Sequence, residues 1–238
     1  MRTNRVVINV EINLDIPLAE NSRVPSSAHA GGQPSSPTES LVEQAVRYVE
    51  DRHWDVLPGA WLVSEGAGVR CSCNLPDCDA PGAHPAHSDF RGLVTGSASA
   101  VRQAWARQPR AAVLLPTGRS FDVLDVSETA GFLALARMER TGVTPGPVAV
   151  HPLGRMQFFV LPGGAARVPE LLRQLGWAAA GRGLRVAGEG GWVAAPPTRV
   201  GDRGPVQWVR QPTEANRWLP GVEELIAPLA YACRQEAG

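Results

Sequence analysis

The run Phe121-Asp122-Val123-Leu124-Asp125-Val126-Ser127-Glu128 leaves a chain few ways to fold. Phe121, Val123, Leu124 and Val126 surround two carboxylates over the length of one strand, and Val and Phe favour a pleated backbone. Alternate strand residues share a face, so Asp125 and Ser127 point one way and Asp122 the other. A carboxylate at the end of a buried strand is costly unless it meets water, a metal ion or a cation. Asp125 is therefore the first candidate for chemistry, a turn cap or an ion pair with a nearby Arg being the structural alternative.

The flanking sequence supplies partners for that strand. Ser36-Pro37-Thr38-Glu39 is a helix start, with Ser as cap, Pro at the first position and Glu three after the cap. Leu41, Val42, Ala45, Val46 and Val49 then share a helical face that ends near Arg52. Strands are expected at 54–58 and 60–63, a helix at 99–108, and a buried strand at 111–115. Ser127 is placed to cap a helix from Glu128 to Arg140, with Leu133, Ala134 and Met138 inward and Gly142 as its stop. A hairpin follows, Val148–His151 and Met156–Val160 around Pro152-Leu153-Gly154-Arg155. Next come a helix at 168–175, strands at 184–186 and 191–195 joined by Gly188-Glu189-Gly190, a late strand at 206–209, and a last helix from Val222 to about Arg234 disturbed at Pro228. This is an α+β pattern with a largely antiparallel second half. Val6, Ile8 and Val10 suggest a short edge strand. Residues 19–38, rich in Ser, Pro, Gly and Asn, read as flexible, so 1–38 is a leader and 39–238 the folded domain.

One segment cannot be held by apolar packing. Between residues 70 and 88 the chain carries Cys71, Cys73, Cys78, His84 and His87 with almost no hydrophobic content. Three thiolates and an imidazole around a tetrahedral ion would hold it, the usual structural zinc arrangement. The ligands are Cys71, Cys73, Cys78 and His84, with His87 as the alternative fourth. No Glu stands beside the His as in zinc hydrolases and deaminases, which argues against an open catalytic zinc.

Of 238 residues, 44% are hydrophobic and 19% charged, enough apolar content for a core and too much for general disorder. Net charge is zero, so nucleic acid or membrane could be engaged only through a local patch. Every basic residue apart from histidine is Arg, which suits bidentate phosphate contacts. The Arg residues at 91, 102, 107, 110 and 119 could line such a face. No apolar run reaches 18 residues, the N-terminus lacks a signal-peptide pattern, and a cytoplasmic location is expected. The Trp residues at 54, 61, 105, 177, 192, 208 and 218 are expected mainly in the core, and Cys233 as an inert buried thiol.

Four features stand in a fixed order: the Cys/His cluster ending Pro81-Gly82-Ala83-His84-Pro85, the strand Val123–Val126, the hairpin Pro152–Phe159, and Gly188-Glu189-Gly190-Gly191-Trp192-Val193-Ala194-Ala195-Pro196-Pro197-Thr198. Together they resemble the N-terminal domain of bifunctional DNA primase/polymerases, of the archaeo-eukaryotic primase superfamily, over roughly residues 40–220. The resemblance implies an RRM-like sheet flanked by helices, with the Cys/His segment as a small zinc-binding insertion. It also implies template-directed nucleotidyl transfer in DNA replication by two divalent ions, Mg²⁺ or Mn²⁺, held by acidic residues.

Carried onto this sequence, the family's site positions are mostly substituted. The first strand carboxylate is Asp125, and the second position is Ser127. The hairpin His is Gln157, the third acidic position is Arg185, and the Lys of the Cys/His segment is Ala83. Arg185 would pair with Asp125 and replace the metal, while Glu128 and Asp122 are the acids left to substitute. Arg119, Arg155 and Trp192 are the candidate nucleotide or nucleic-acid contacts, Trp192 standing where the family has Tyr. The expectation is a catalytically impaired module that binds nucleotide, nucleic acid or a protein partner. The alternative is an active polymerase with a remodelled two-metal site using Asp125, Glu128 and Gln157. Neutral charge and the absence of a P-loop favour the first.

Overall fold

A computed structural model of the chain describes residues 40–66, 68–177, 183–214 and 218–237. The expected leader and its edge strand lie outside the described residues, as does the Ser36–Glu39 helix signal. The first helix, α1 (Leu41–Arg52), is instead capped by Ser40. Ser40 and Glu43 close a reciprocal box: the Glu43 amide donates to Ser40 Oγ at 3.3 Å and the Ser40 amide to Glu43 Oε2 at 2.9 Å. The same Ser-x-x-Glu chemistry was available four residues later.

Two antiparallel sheets form the frame. The smaller joins β1 (Leu57–Pro58), β4 (Val113–Pro116) and β9 (Trp192–Ala194) in the order β1-β4-β9. The larger has the order β10-β6-β7-β5-β8, built from β5 (Asp122–Ser127), β6 (Val148–His151), β7 (Arg155–Val160), β8 (Arg185–Ala187) and β10 (Gln207–Arg210). Between β5 and β6 runs α3 (Glu128–Thr141), and between β7 and β8 runs α4 (Gly164–Gln174). That β-α-β-β-α-β order is a split βαβ unit. A hairpin of β2 (Leu62–Glu65) and β3 (Gly68–Cys71) leads into the Cys/His segment. The helices α2 (Ala98–Arg107) and α5 (Val222–Ala237) and a short 3-10 helix at Arg91–Leu93 complete the described elements.

Strand alternation divides the core in two. Phe121, Val123, Ala149 and Phe159 belong to an apolar cluster shared with α1, α2 and the smaller sheet. Leu124, Val126, Met156 and Phe158 belong to a second, shared with α3, α4 and α5. Successive residues of β5 and β7 therefore serve opposite faces, as their period of two requires. An aromatic group ties the first cluster together, with Phe159 centroids 4.9 Å from Phe121, 5.5 Å from Trp54 and 5.3 Å from Trp208.

The helix after the central strand is capped as its sequence predicts. Ser127 Oγ accepts the Ala130 amide at 3.1 Å, and Gly142 closes the helix in the left-handed conformation at φ 72°. Leu133 departs from expectation: it is 40% exposed beside a 49% exposed Phe132, because Ala130, Ala134 and Met138 fill the inward stripe. The strands around Gly188–Gly190 also differ from a simple pair. β8 joins β5 and β9 joins β4, so the glycine loop carries the chain from one sheet to the other. Gly191 is needed there, since a Cβ would stand 2.7 Å from Thr117 Oγ1. Trp54 and Trp105 are core residues as expected, whereas Trp218 is 85% exposed.

Candidate metal centre and the polar end of the large sheet

The Cys/His residues meet in space. Cys71 ends β3, while Cys73, Cys78 and His84 follow in the loop, and their ligand atoms all lie within 4.8 Å of one another. His84 Nε2 is 3.2 Å from Cys71 Sγ, and His84 Nδ1 is 2.7 Å from the Pro85 carbonyl. A backbone partner on the second ring nitrogen is how a ligating imidazole is usually fixed. His87 is exposed and outside the cluster, so His84 is the fourth member.

The thiols themselves argue for an ion. Burial pushes Cys78 up to about 12, and the neighbouring Cys73 and Cys71 push the same way against the Ala80 amide. Burial also acts to raise Cys73, but the Leu75 amide and hydrogen bonds from Cys71, His84 and Cys78 outweigh it and bring that thiol down to about 7. Crowded thiols of this kind cannot all ionise together without a cation to neutralise them. A tetrad of three thiols and one imidazole is a soft donor set that a metal ion fits.

The second concentration of polar groups lies on the large sheet. Cross-strand register places Trp208, Ala149, Gln157, Asp125 and Arg185 in one row, on the face that also carries Phe159 and Val123. One step toward the sheet end, His151, Arg155 and Ser127 form the next row. The face thus changes from aromatic core to charge within two residue pairs.

Asp125 is already occupied. Arg155 Nε donates to its Oδ1 at 2.6 Å and Nη2 lies 2.5 Å from the same oxygen. Nη2 also donates to the Asp125 carbonyl at 2.9 Å and the Gly183 carbonyl at 3.3 Å. Gln157 Nε2 donates to the remaining oxygen, Oδ2, at 3.3 Å. The expected partner, Arg185, is the residue opposite Asp125 in register, yet its side chain is exposed and makes no ion pair among the described residues. Arg155 wins because it reaches back from the end of β7 and satisfies two backbone carbonyls as well as the carboxylate.

The other candidates disperse. Ser127 is used by its cap and donates to the Glu236 carboxylate on α5. Glu128 opens α3 and is half-buried, without an ion pair among the described residues. Asp122 faces away: it is 1% exposed and accepts the Ala165 amide at the start of α4 at 2.8 Å. Arg119 lies beyond the opposite end of β5 and pairs with Asp55 at 2.8 Å. Arg102 pairs with Glu50 at 3.7 Å, so the proposed arginine face is partly neutralised. Trp192 is half-buried against the first cluster, in the smaller sheet.

Two participants were not legible beforehand. His151 is 8% exposed, accepts the Leu153 amide on Nδ1 at 3.3 Å, and is held below the usual histidine range by burial, with Asp125 opposing. Glu236 arrives from the far end of the chain, and only the packing of α5 against α3 and β5 brings it to Ser127.

Among the described residues no helix is long and apolar enough to cross a membrane. The family model described as bifunctional DNA primase/polymerase, N-terminal, matches residues 45–218, well over half of the chain. No curated protein and no solved structure matches it.

Proposed function

From the premise that the chain belongs to the bifunctional DNA primase/polymerase N-terminal family, we propose that it is a member without a catalytic metal site that holds nucleotide or nucleic-acid phosphate without transferring nucleotides. The observation that carries this reading is the Arg155 guanidinium on Asp125. A divalent ion needs anionic oxygens that are free to turn to it. Here Oδ1 faces a fixed cation and Oδ2 a side-chain amide. The second strand position is a hydroxyl already in use, and the third is Arg185. With Arg155 neutralised by Asp125, exposed Arg185 leaves the sheet end able to face a phosphate directly.

The Cys71, Cys73, Cys78 and His84 tetrad would hold zinc in a structural role. The ion would keep the thiols ionised and lock the loop after β3, whose sequence offers little packing of its own. The fold supporting these sites is the family's RRM-like sheet with its helices and zinc insertion.

A second reading is favoured by one observation. The Glu236 carboxylate sits on Ser127, where the family's second strand acid would be. Were Arg155 displaced by substrate, Asp125, Glu128 and Glu236 could gather an ion and catalysis would persist in a remodelled site.

A templated incorporation assay with Mn²⁺ and labelled deoxynucleotide separates the two. The proposal expects no incorporation, with nucleotide retention by the zinc-loaded protein that needs no added Mg²⁺ or Mn²⁺ and is lost in Arg185→Glu. Incorporation abolished by Asp125→Ala would overturn it in favour of the remodelled site.

A further inference from the structure

Away from that row end, α1, the segment after β9 and the end of β10 line a half-open pocket of about 380 Å³. Gln44, Arg47, Tyr48, Asp51 and Arg52 present one face of α1 to it, and Pro196, Pro197 and Trp208 form the opposing wall. The volume falls at the low end for small-ligand sites, which run from roughly 300 Å³ upward.

The wall is rigid. Tyr48, 4% exposed, donates its hydroxyl to the Pro196 carbonyl at 2.8 Å and accepts the Trp208 indole N–H at 3.2 Å. Burial holds the Tyr48 hydroxyl well above its usual ionisation range, so it remains a donor. Arg52 is positioned at the rim by a 2.8 Å bond to the Thr213 carbonyl.

We propose that this pocket takes one unpaired nucleobase with its phosphate, anchoring single-stranded nucleic acid at the Trp208 end of the row, away from Asp125. Trp208 and the two proline rings offer flat apolar surface to a base. Gln44 and the Asp51 carboxylate offer the mixed donors and acceptors that a base edge requires, and Arg47 and Arg52 supply charge for a phosphate. A proline-rich peptide is the competing occupant. Such peptides dock between exposed aromatic rings, whereas Tyr48 is buried with its hydroxyl spent and the rim is cationic and amide-bearing. Trp208 and Asp125 share a row, separated by Ala149 and Gln157. Three strand spacings put them roughly 14 Å apart, a distance that about four stacked nucleotides at ~3.4 Å each would cover.

The choice of nucleic acid rests on the proposed function, so the test separates the two sites. Fluorescence anisotropy is measured with a labelled single strand of about eight nucleotides, within the usual site size, on the full chain at low salt. Arg47→Glu and Gln44→Trp, on the solvent side of α1, should each weaken binding about tenfold, the loss of one stacked base and its phosphate. Arg185→Glu reports the other site independently. Unchanged affinity in both pocket variants overturns this proposal and leaves the other standing if Arg185→Glu weakens binding. Binding of a proline-rich peptide in place of the oligonucleotide, or of neither, also overturns it. Retained far-ultraviolet circular dichroism validates each variant, and Arg47→Glu alone decides if Gln44→Trp does not fold.

Discussion

Replacing Arg155 with Met tests whether Asp125 is a committed ion-pair partner or an open ligand. The side chains are 20% and 18% exposed, so the pair is mostly withdrawn from water. Removing one partner of a fully buried pair costs about 3–5 kcal/mol, because the other charge is left uncompensated. Partial exposure discounts this to about 2–4 kcal/mol, since water reaches part of both groups. Asp125→Asn strands the guanidinium in turn, while Arg155 keeps its bonds to the Asp125 and Gly183 carbonyls. The double variant leaves no buried charge, so the losses should fail to add, with a coupling of about 1.5–3 kcal/mol. Urea unfolding of the four proteins at equal metal content measures it. A coupling under about 0.5 kcal/mol, the value of an exposed surface pair, would refute the reasoning and free Asp125 for a cation.

Three further outcomes follow from the same geometry. Metal uptake by the Cys/His tetrad should release more than one proton per ion at neutral pH, because Cys78 is pushed up to about 12 without it; calorimetry in buffers of different ionisation enthalpy reads this. Burial lowers the His151 pKa, so its neutral form is favoured by folding: that stability is complete above the unfolded value near ~6.5 and is lost as pH falls through the depressed folded value. His151→Phe should flatten the acid limb of a stability–pH profile. Phe159→Ala empties the centre of the aromatic group and should cost about 3–5 kcal/mol, read as a lowered Tm.

The local grammar of the chain was readable. Strand-length apolar runs rich in Val and Phe marked β5 and β7, Ser127 and Gly142 marked both ends of α3, and Cys/His spacing marked a tetrad that the fold closes. What sequence could not give was reach. Arg185 was chosen to neutralise Asp125 because its position corresponds to a family acid, and register does place it opposite. Register fixes backbones, though, and the longer path of Arg155 along β7 also satisfies two carbonyls. His151 and Glu236 escaped for the same reason: nothing local to either says which strand end or helix turn it will approach. The Ser-x-x-Glu motif recurs four residues on, and the described helix takes Ser40 as its cap.

The most direct test is electron paramagnetic resonance of Mn²⁺ titrated into the full, zinc-loaded chain with deoxynucleoside triphosphate, for wild type and Asp125→Ala. With Arg155 on Asp125, the free-ion signal should be the same for both proteins, any depletion coming from the triphosphate alone. Stoichiometric loss of that signal in the wild type, absent in Asp125→Ala, would show a working cation site and contradict the account.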